Sequence, residues 1–279
     1  MEIIRLPQKM QRKALAIRRA GKRIAFVPTM GALHEGHLSL IDLARKKADV
    51  VIVSIYVNPT QFGPKEDFSR YPRPFKRDAA LCKLRGADIL FAPENLYEPG
   101  SSTWINEETL SLGLCGGSRP GHFRGVCTVV GKLFHLVQPD TAIFGQKDAQ
   151  QAAVIERMAR DLNFPVKIIR APITREPDGL AMSSRNAYLS PEERARAVVL
   201  SQALSRAKQF AREGQPPGQI VKALKKMVAQ FAPEARIDYI ELRHAQTLEP
   251  ITQIAPPGKT LVALAVFFGK TRLIDNAVI

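Results

Sequence analysis

Apolar runs rich in Val and Ile alternate with segments of helical periodicity along the first 172 residues of this 279-residue chain. The run at 50–57 is nearly continuous in Val and Ile, as is typical of a strand covered on both faces in a parallel sheet. Strands separated by helix-length segments predict a doubly wound α/β domain. In such a domain, ligands bind outside the carboxyl ends of the strands.

Individual elements can be predicted from the same pattern. An irregular zone rich in Gly and Ser ends at about Arg124. The basic, amphipathic N-terminus lacks the apolar core of a secretory signal, so we interpret it as a first helix. Strands are predicted at 23–27, 49–57, 88–93, 141–145 and 166–172, and helices at 37–48, 75–87, 129–138 and 149–163.

The pattern changes after 183–190. Ser190 can cap a helix that begins with Pro191 and two glutamates, which suit the positive end of the helix dipole. Two helices, at about 191–213 and 217–231, precede two strand-like segments. We therefore predict a Rossmann-like N-terminal catalytic domain at 1–180 and a smaller C-terminal α+β lid domain at 181–279.

Net charge leaves two classes of function in competition. The formal charge is +15, which suits either a nucleic-acid binder or an enzyme that takes anionic small molecules. Eight basic residues between Arg194 and Lys226 alternate with apolar ones, as expected of a solvated helix face, and no RNA-binding motif accompanies them. Three cysteines without a C-x-x-C pair favour a reducing cytoplasm, and no run is long enough to span a membrane.

The stretch PTMGALHEGHLSL at 28–40 places His34 and His37 where a predicted strand gives way to a helix. The N-terminus of a helix is an anion site, and imidazoles three residues apart add donors on one side. Gly31 and Gly36 let the backbone approach a phosphate closely. The P-loop pattern and the histidine spacing of a zincin are both absent. The stretch predicts a phosphate cradle, with helix-capping histidines as the alternative.

H-x-G-H after a first Rossmann-like strand resembles the nucleotidylyltransferase superfamily, which includes class I aminoacyl-tRNA synthetases. Members carry a second phosphate-binding segment near the end of the α/β domain. AMSSRN at 181–186 occupies that place, although an ordinary turn before a capped helix fits the same letters. Blocks at 56–73, 123–151, 174–190 and 269–276 strongly resemble the pantoate–β-alanine ligase family. One departure is His135, where many relatives carry Asn; it lies outside the motif cores.

The resemblance implies ATP-dependent condensation of (R)-pantoate with β-alanine to pantothenate, through a pantoyl-adenylate intermediate, with release of AMP and pyrophosphate. It implies that Gln61 contacts both pantoate and β-alanine and that Gln151 holds pantoate. The residues implied to be catalytic are His37, His34, Lys147, Ser183 and Arg185. Those implied to bind ATP are Met30, Gly31, Ala32, Leu33, His34, Glu35, Gly36, His37, Gly145, Gln146, Lys147, Asp148, Thr174, Met182, Ser183, Ser184 and Arg185.

The resemblance further implies a cytoplasmic homodimer whose partners are small-molecule substrates, with neither nucleic acid nor membrane. Mg²⁺ is expected to enter with ATP, and no carboxylate cluster indicates a dedicated metal site. Two alternatives stay open. One is another nucleotidylyltransferase, which would transfer AMP to a phosphorylated cofactor precursor. The other is an RNA-binding module that uses the basic surface.

Two segments have roles that the sequence leaves open. The loop at 63–74 combines Gly, Pro and mixed charges between a strand and a helix, which favours a mobile gate over the acid site. His122 and Arg124 fit either an anion-binding loop or a solvated turn. Cys115 and Cys127 are interpreted as small buried side chains.

Overall fold

The computed structural model describes residues 1–64 and 66–279, and these residues form two compact units. The first unit comprises Met1–Ser111, Arg119–Gln146 and Gln151–Pro172. The second comprises Leu112–Ser118, Lys147–Gln150 and Ile173–Ile279. The main division therefore falls between Pro172 and Ile173, and the functional domains at 1–180 and 181–279 stay a prediction.

The first unit is built on a six-stranded parallel sheet in the order β1-β4-β3-β2-β5-β6. Its strands are β1 (Glu2–Ile4), β2 (Ile24–Thr29), β3 (Val50–Ile55), β4 (Ile89–Phe91), β5 (Thr141–Gly145) and β6 (Lys167–Ala171). Its helices are α1 (Pro7–Arg19), α2 (Glu35–Arg45), α3 (Phe75–Leu84) and α5 (His122–Val137). The helix α6 (Ala149–Asp161) lies mostly in this unit, and α4 (Cys115–Ser118) belongs to the second.

Both faces of the parallel sheet are buried, which explains the near-continuous apolar runs of its strands. Val51 and Val53 of β3 share one core cluster with Leu38 and Ile41 of α2. Ile52, which points to the opposite face because side chains alternate along a strand, is also fully buried. Helices α1 and α5 pack against β2. Burial on two faces leaves the strand ends as the places where polar groups can gather.

The second unit contains a three-stranded antiparallel sheet in the order β7-β8-β9, formed by Arg236–His244, Thr260–Phe268 and Thr271–Val278. Its longer helices are α7 (Pro191–Ala197), α8 (Val199–Arg212) and α9 (Pro217–Phe231). Leu204, Leu224 and Val266 belong to the cluster that joins α8 and α9 to the sheet. The predicted cap at Ser190 is confirmed, because its Oγ accepts a hydrogen bond from the Glu193 N–H at 3.2 Å.

The predicted fold class is confirmed: a Rossmann-like parallel sheet with helices accompanies a smaller α+β unit. Among the predicted helices, the one at 129–138 differs most from the structure, since the corresponding helix α5 begins at His122. The edge strand β1 and the short helix α4 were not predicted, and the helix predicted at 191–213 is divided at Val198. The N-terminal segment forms α1, as interpreted from its amphipathic pattern.

Candidate active site

Strands β2 and β5 are neighbours in the sheet, and chain order reverses between them. A reversal of this kind opens a crevice outside the carboxyl ends of parallel strands, where α/β proteins bind ligands. The segment that follows β2 runs from Met30 to His37. Strand β5 ends at Gly145, and a short 3-10 turn begins at Gln146. Two segments predicted to bind ATP thus begin at adjacent strand ends.

His34 and His37 lie together at the N-terminus of α2, with ring centroids 4.1 Å apart and ring planes inclined by 39°. His34 is the extended residue that precedes the helix, and its backbone N–H points at His37 Nδ1 at 3.4 Å. Because Nδ1 of His37 accepts, the proton of the neutral ring lies on Nε2. The pair therefore combines a helix N-terminus with an Nε2–H donor, and it also caps the helix.

The loop before the histidines is held by a buried carboxylate that sequence reasoning missed. Asp78 of α3 is 1% exposed, and its two oxygens accept hydrogen bonds from the backbone N–H groups of Ala32 at 2.8 Å and Leu33 at 2.9 Å. Burial raises the pKa of Asp78, while these two hydrogen bonds oppose that rise. Gly31 has φ +82°, and a Cβ there would lie 3.1 Å from Asp78 Oδ2. Asp78 thereby fixes the backbone that presents the histidines.

Gln61, predicted to contact the organic acid and the amine, ends a 3-10 turn at Pro59–Gln61 and is 9% exposed. Its Oε1 accepts a hydrogen bond from Asn58 Nδ2 at 3.1 Å, and its Nε2 lies 3.1 Å from Met30 Sδ. Asn58 also donates to the Gly125 carbonyl at 3.1 Å. A Cβ on Gly125 would lie 2.4 Å from the Thr60 carbonyl oxygen. Gln61 and Met30 are thus brought together, and the orientation of Gln61 depends on a close approach of helix α5.

His122, whose role the sequence left open, is buried and lies behind Gln61. Its Nδ1 is 2.8 Å from the Gln61 carbonyl oxygen, and its Nε2 is 3.1 Å from Arg119 Nη1. Arg119 also forms a bidentate ion pair with Glu66, at 2.7 and 2.6 Å. Arg124, by contrast, is exposed and stacks on Trp104, with its guanidinium carbon 4.9 Å from the ring centroid. A solvated position therefore describes Arg124 but not His122.

Lys147 and Asn276 meet in the second unit, where the Asn276 amide donates to the Lys147 carbonyl at 2.9 Å. The Lys147 ammonium is 3.8 Å from the Asp148 carboxylate, which is a loose ion pair. The neighbouring Asp275 carboxylate is buried and accepts two hydrogen bonds from Arg175, at 2.7 and 3.0 Å. Asp275 and Asn276 belong to the GKTRLIDN block, for which the sequence suggested no role.

The segment 182–185 follows a hairpin-like turn in the second unit. The Met182 N–H donates to the Thr174 carbonyl at 3.0 Å, so these two predicted ATP-binding residues are adjacent. Ser183 Oγ accepts the Arg185 N–H at 3.2 Å and caps a 3-10 turn at Ser184–Tyr188. Asn186 donates to the Glu176 carboxylate at 2.7 Å and braces the turn. The ordinary-turn interpretation and the phosphate-binding interpretation are both compatible with this geometry.

Gln151 lies in α6 and is half-buried, directly after the buried Gln150. Gln150 donates to the Gly113 carbonyl at 2.7 Å and accepts the Cys115 N–H at 2.9 Å, so its side chain has a structural role. Cys115 and Cys127 are buried, as interpreted from the sequence, and burial raises the pKa of the Cys127 thiol to about 12. Over residues 1–64 and 66–279, no helix has the length and apolar character needed to cross a membrane.

Comparison with known proteins identifies the family. The family model described as pantoate-beta-alanine ligase matches residues 2–278. The pantothenate synthetase of Moorella thermoacetica is 53% identical over 100% of this chain and 99% of its own length. That of Thermotoga petrophila is 52% identical over the whole of both chains.

Solved structures of the same family match this chain over its full length. The crystal structure of pantothenate synthetase from Thermus thermophilus matches with a TM-score of 0.93 and 43% identity, over 100% of this chain and 99% of that one. The ligase from Francisella tularensis, described as complexed with beta-gamma ATP and beta-alanine, matches with a TM-score of 0.80 and 33% identity, over 100% and 97% of the two chains. This chain therefore belongs to the pantoate–β-alanine ligase family.

Proposed function

We propose that this protein condenses (R)-pantoate with β-alanine at the expense of ATP, through pantoyl adenylate, and releases AMP and pyrophosphate. Besides family membership, one observation carries the proposal. The histidine pair lies at the N-terminus of the helix that follows β2, next to β5 in the sheet, and a helix N-terminus at such a reversal of strand order favours an anionic ligand.

In the first half-reaction, a pantoate carboxylate oxygen attacks the α-phosphorus of ATP, and the bond to pyrophosphate breaks. Two anions must be held together while negative charge develops on the phosphate oxygens. His34 and His37 are assigned to these phosphates, with His37 as proton donor, and the Nε2–H of His37 can donate a hydrogen bond to a phosphate oxygen. The backbone from Met30 to Leu33, fixed by Asp78, is assigned to the nucleotide.

The family resemblance assigns further ATP contacts to residues of the second unit. Lys147 supplies a cation for the phosphates, and Asp148 accepts hydrogen bonds from the ribose hydroxyls. Thr174 contacts the adenine through its backbone, and Met182, Ser183, Ser184 and Arg185 contact the phosphates. The Asn276 hydrogen bond to the Lys147 carbonyl supports the lysine assignment, because it fixes the backbone of that short turn.

In the second half-reaction, the β-alanine amine attacks the acyl carbon of pantoyl adenylate. The acyl carbon–oxygen bond breaks, AMP leaves with that oxygen, and the amine loses a proton. Gln61 and Gln151 are assigned to pantoate, and Gln61 also to β-alanine. Neutral amides suit this task because they bond hydroxyl and carboxylate oxygens without trapping the intermediate in an ion pair.

Mg²⁺ is proposed to arrive bound to ATP. Among the residues that the structure describes, no group of three or more His, Cys, Asp or Glu side chains could hold a metal ion. No step is assigned to the ion. A homodimer, a cytoplasmic location and a lid role for 181–279 are likewise proposals that follow from the family.

Isotope transfer tests the proposed chemistry. The enzyme is incubated with ATP, β-alanine and pantoate labelled with ¹⁸O in its carboxylate, and the nucleotide product is analysed by mass spectrometry. Attack on the α-phosphorus predicts AMP that carries one labelled oxygen, together with unlabelled pyrophosphate. ADP and labelled phosphate would reject the adenylate route.

The two alternatives from the sequence are tested separately. If the enzyme instead transfers AMP to a phosphorylated cofactor precursor, pantoate will not stimulate pyrophosphate release. If the basic surface binds RNA, a filter-binding titration will detect an affinity that falls steeply with salt.

A further inference from the structure

The amine substrate carries a charge that the assigned residues of the first unit do not match. β-Alanine, the acceptor in the proposed function on which this inference rests, is an amine at one end and a carboxylate at the other. Gln61 and Gln151, the residues assigned to the acid and the amine, are both neutral. A cation near Gln61 would hold the carboxylate end while the amine attacks, because an ionised hydrogen-bond pair is stronger than a neutral one.

Arg119 is such a cation, and it lies beside Gln61. Its Nη2 is 3.4 Å from the Gln61 carbonyl oxygen, and its side chain is 17% exposed. The guanidinium already binds a carboxylate in the two-pronged geometry that matches this group: Nε lies 2.7 Å from Glu66 Oε1, and Nη2 lies 2.6 Å from Glu66 Oε2. The structure therefore contains a guanidinium that already binds a carboxylate, next to the residue assigned to β-alanine.

His122 fixes the orientation of this guanidinium. The Gln61 carbonyl can only accept a hydrogen bond, so His122 Nδ1, at 2.8 Å, is the donor and carries the proton. The neutral Nε2 then accepts from Arg119 Nη1 at 3.1 Å. One chain of hydrogen bonds thus connects Arg119 to the backbone of Gln61. This chain accounts for a buried histidine that the reaction itself does not use.

Glu66 lies in the segment 63–74, which the sequence predicts to be a gate; Lys65 of that segment lies outside the described residues. We propose that Arg119 is the carboxylate-binding residue for β-alanine, and that Glu66 occupies this position until the substrate displaces it. Glu66 then acts as an internal substitute for the substrate carboxylate. The competing interpretation is a structural ion pair that only holds the loop.

Acceptor specificity separates the two interpretations. Arg119→Ala, Arg119→Lys, Glu66→Gln and wild type are compared with β-alanine and with its uncharged amide as acceptors, each reacting with chemically supplied pantoyl adenylate. Loss of a hydrogen bond to a charged group predicts a roughly 10- to 100-fold lower kcat/KM for β-alanine in Arg119→Ala. The rate with the uncharged amide should change little, and Arg119→Lys should restore part of the preference. Arg124→Ala, which removes a nearby exposed arginine, is the matched control.

Glu66→Gln provides the second arm. It removes the competing charge and leaves Arg119 in place, so the KM for β-alanine should fall. The proposal is overturned if Arg119→Ala slows both acceptors equally, or if Glu66→Gln reproduces the Arg119→Ala defect, because each result indicates a structural pair. Pantoate-dependent pyrophosphate release without acceptor is measured in parallel. If wild type lacks this release, the proposed function itself has failed.

Discussion

Asp78 accepts a hydrogen bond from the backbone N–H of Leu33 at 2.9 Å, and so a buried carboxylate in α3 holds the loop that presents the two histidines. Ala32 makes the equivalent bond at 2.8 Å. The carboxylate does not need to touch a substrate to matter. We expect it to act on the reaction through the backbone geometry of 30–34.

Asp78→Asn should weaken both the fold and adenylation. An amide offers only one acceptor oxygen, so one of the two buried N–H groups loses its partner, at a cost of about 1–3 kcal/mol in unfolding free energy. Urea unfolding measures that cost, and the KM for ATP shows whether the loop at 30–34 still binds the nucleotide. Asp161→Asn, at an exposed ion pair with Arg160, is the control and should stay within about 0.5 kcal/mol of wild type. A normal KM for ATP in a destabilised Asp78→Asn protein would limit Asp78 to a structural role.

The free energy of unfolding should depend on pH through the protonation of Asp78. Burial raises its pKa above the ordinary value near 3.8, so in the interval between the two values the folded state binds more protons than the unfolded state. The slope of unfolding free energy with pH is then negative for this group. The stability of wild type relative to Asp78→Asn should fall as pH rises from below about 4. A relative stability that rises with pH would mean that the two N–H donors outweigh burial.

Gly125→Ala should displace Gln61. The added Cβ would lie 2.4 Å from the Thr60 carbonyl oxygen, and backbone cannot rotate away as a flexible side chain can. Overpacking of this kind costs about 1–3 kcal/mol. We expect a lower melting temperature and a higher KM for pantoate. Gly218→Ala in α9, where a Cβ meets nothing within 4 Å, should be neutral or stabilising by up to about 1 kcal/mol. Wild-type kinetics in Gly125→Ala would show that α5 does not orient Gln61.

The Arg175–Asp275 pair of the second unit should be costly to break from one side. The Asp275 side chain is 1% exposed, and Arg175→Ala leaves its charge buried, which destabilises a fold by about 3–5 kcal/mol. Arg160→Ala, which removes one member of the exposed pair with Asp161, should cost at most about 1 kcal/mol. Urea unfolding of the two variants gives the comparison. Equal losses would mean that water reaches Asp275.

Sequence patterns were sufficient for the elements that depend on local composition. The Val- and Ile-rich run of β3 and the Ser190 cap each carry their own signal. Helix α5 was predicted to begin too late because GGSRPGHFRG has the composition of an irregular segment, although Gly121, with φ 80°, precedes the helix and Gly125 allows its close packing. Strand β1 has three residues, too few for a periodic signal.

The candidate site was predictable only in part, because some of its residues depend on partners that are distant in sequence. His34, His37 and Gln61 stand in motifs that the family resemblance identifies. Asp78 binds backbone N–H groups, and Arg119 binds a carboxylate that is distant in sequence. Such partners become neighbours only in the folded chain. A single aspartate in a helix rich in Lys and Arg resembles a surface residue, so its burial leaves no sign in the sequence.

The half-reactions of His37→Ala test the central claim, that the histidine pair at the N-terminus of α2 activates the acid by adenylation. Loss of a well-placed transition-state donor typically lowers a rate by about 10²–10³. Single-turnover formation of pantoyl adenylate should fall by that factor, whereas chemically supplied pantoyl adenylate should still react with β-alanine. His135→Ala, at an exposed histidine, is the control, and circular dichroism monitors the fold. Equal loss in both half-reactions, or a melted protein, would contradict the claim and leave the histidines as a binding element or a helix cap.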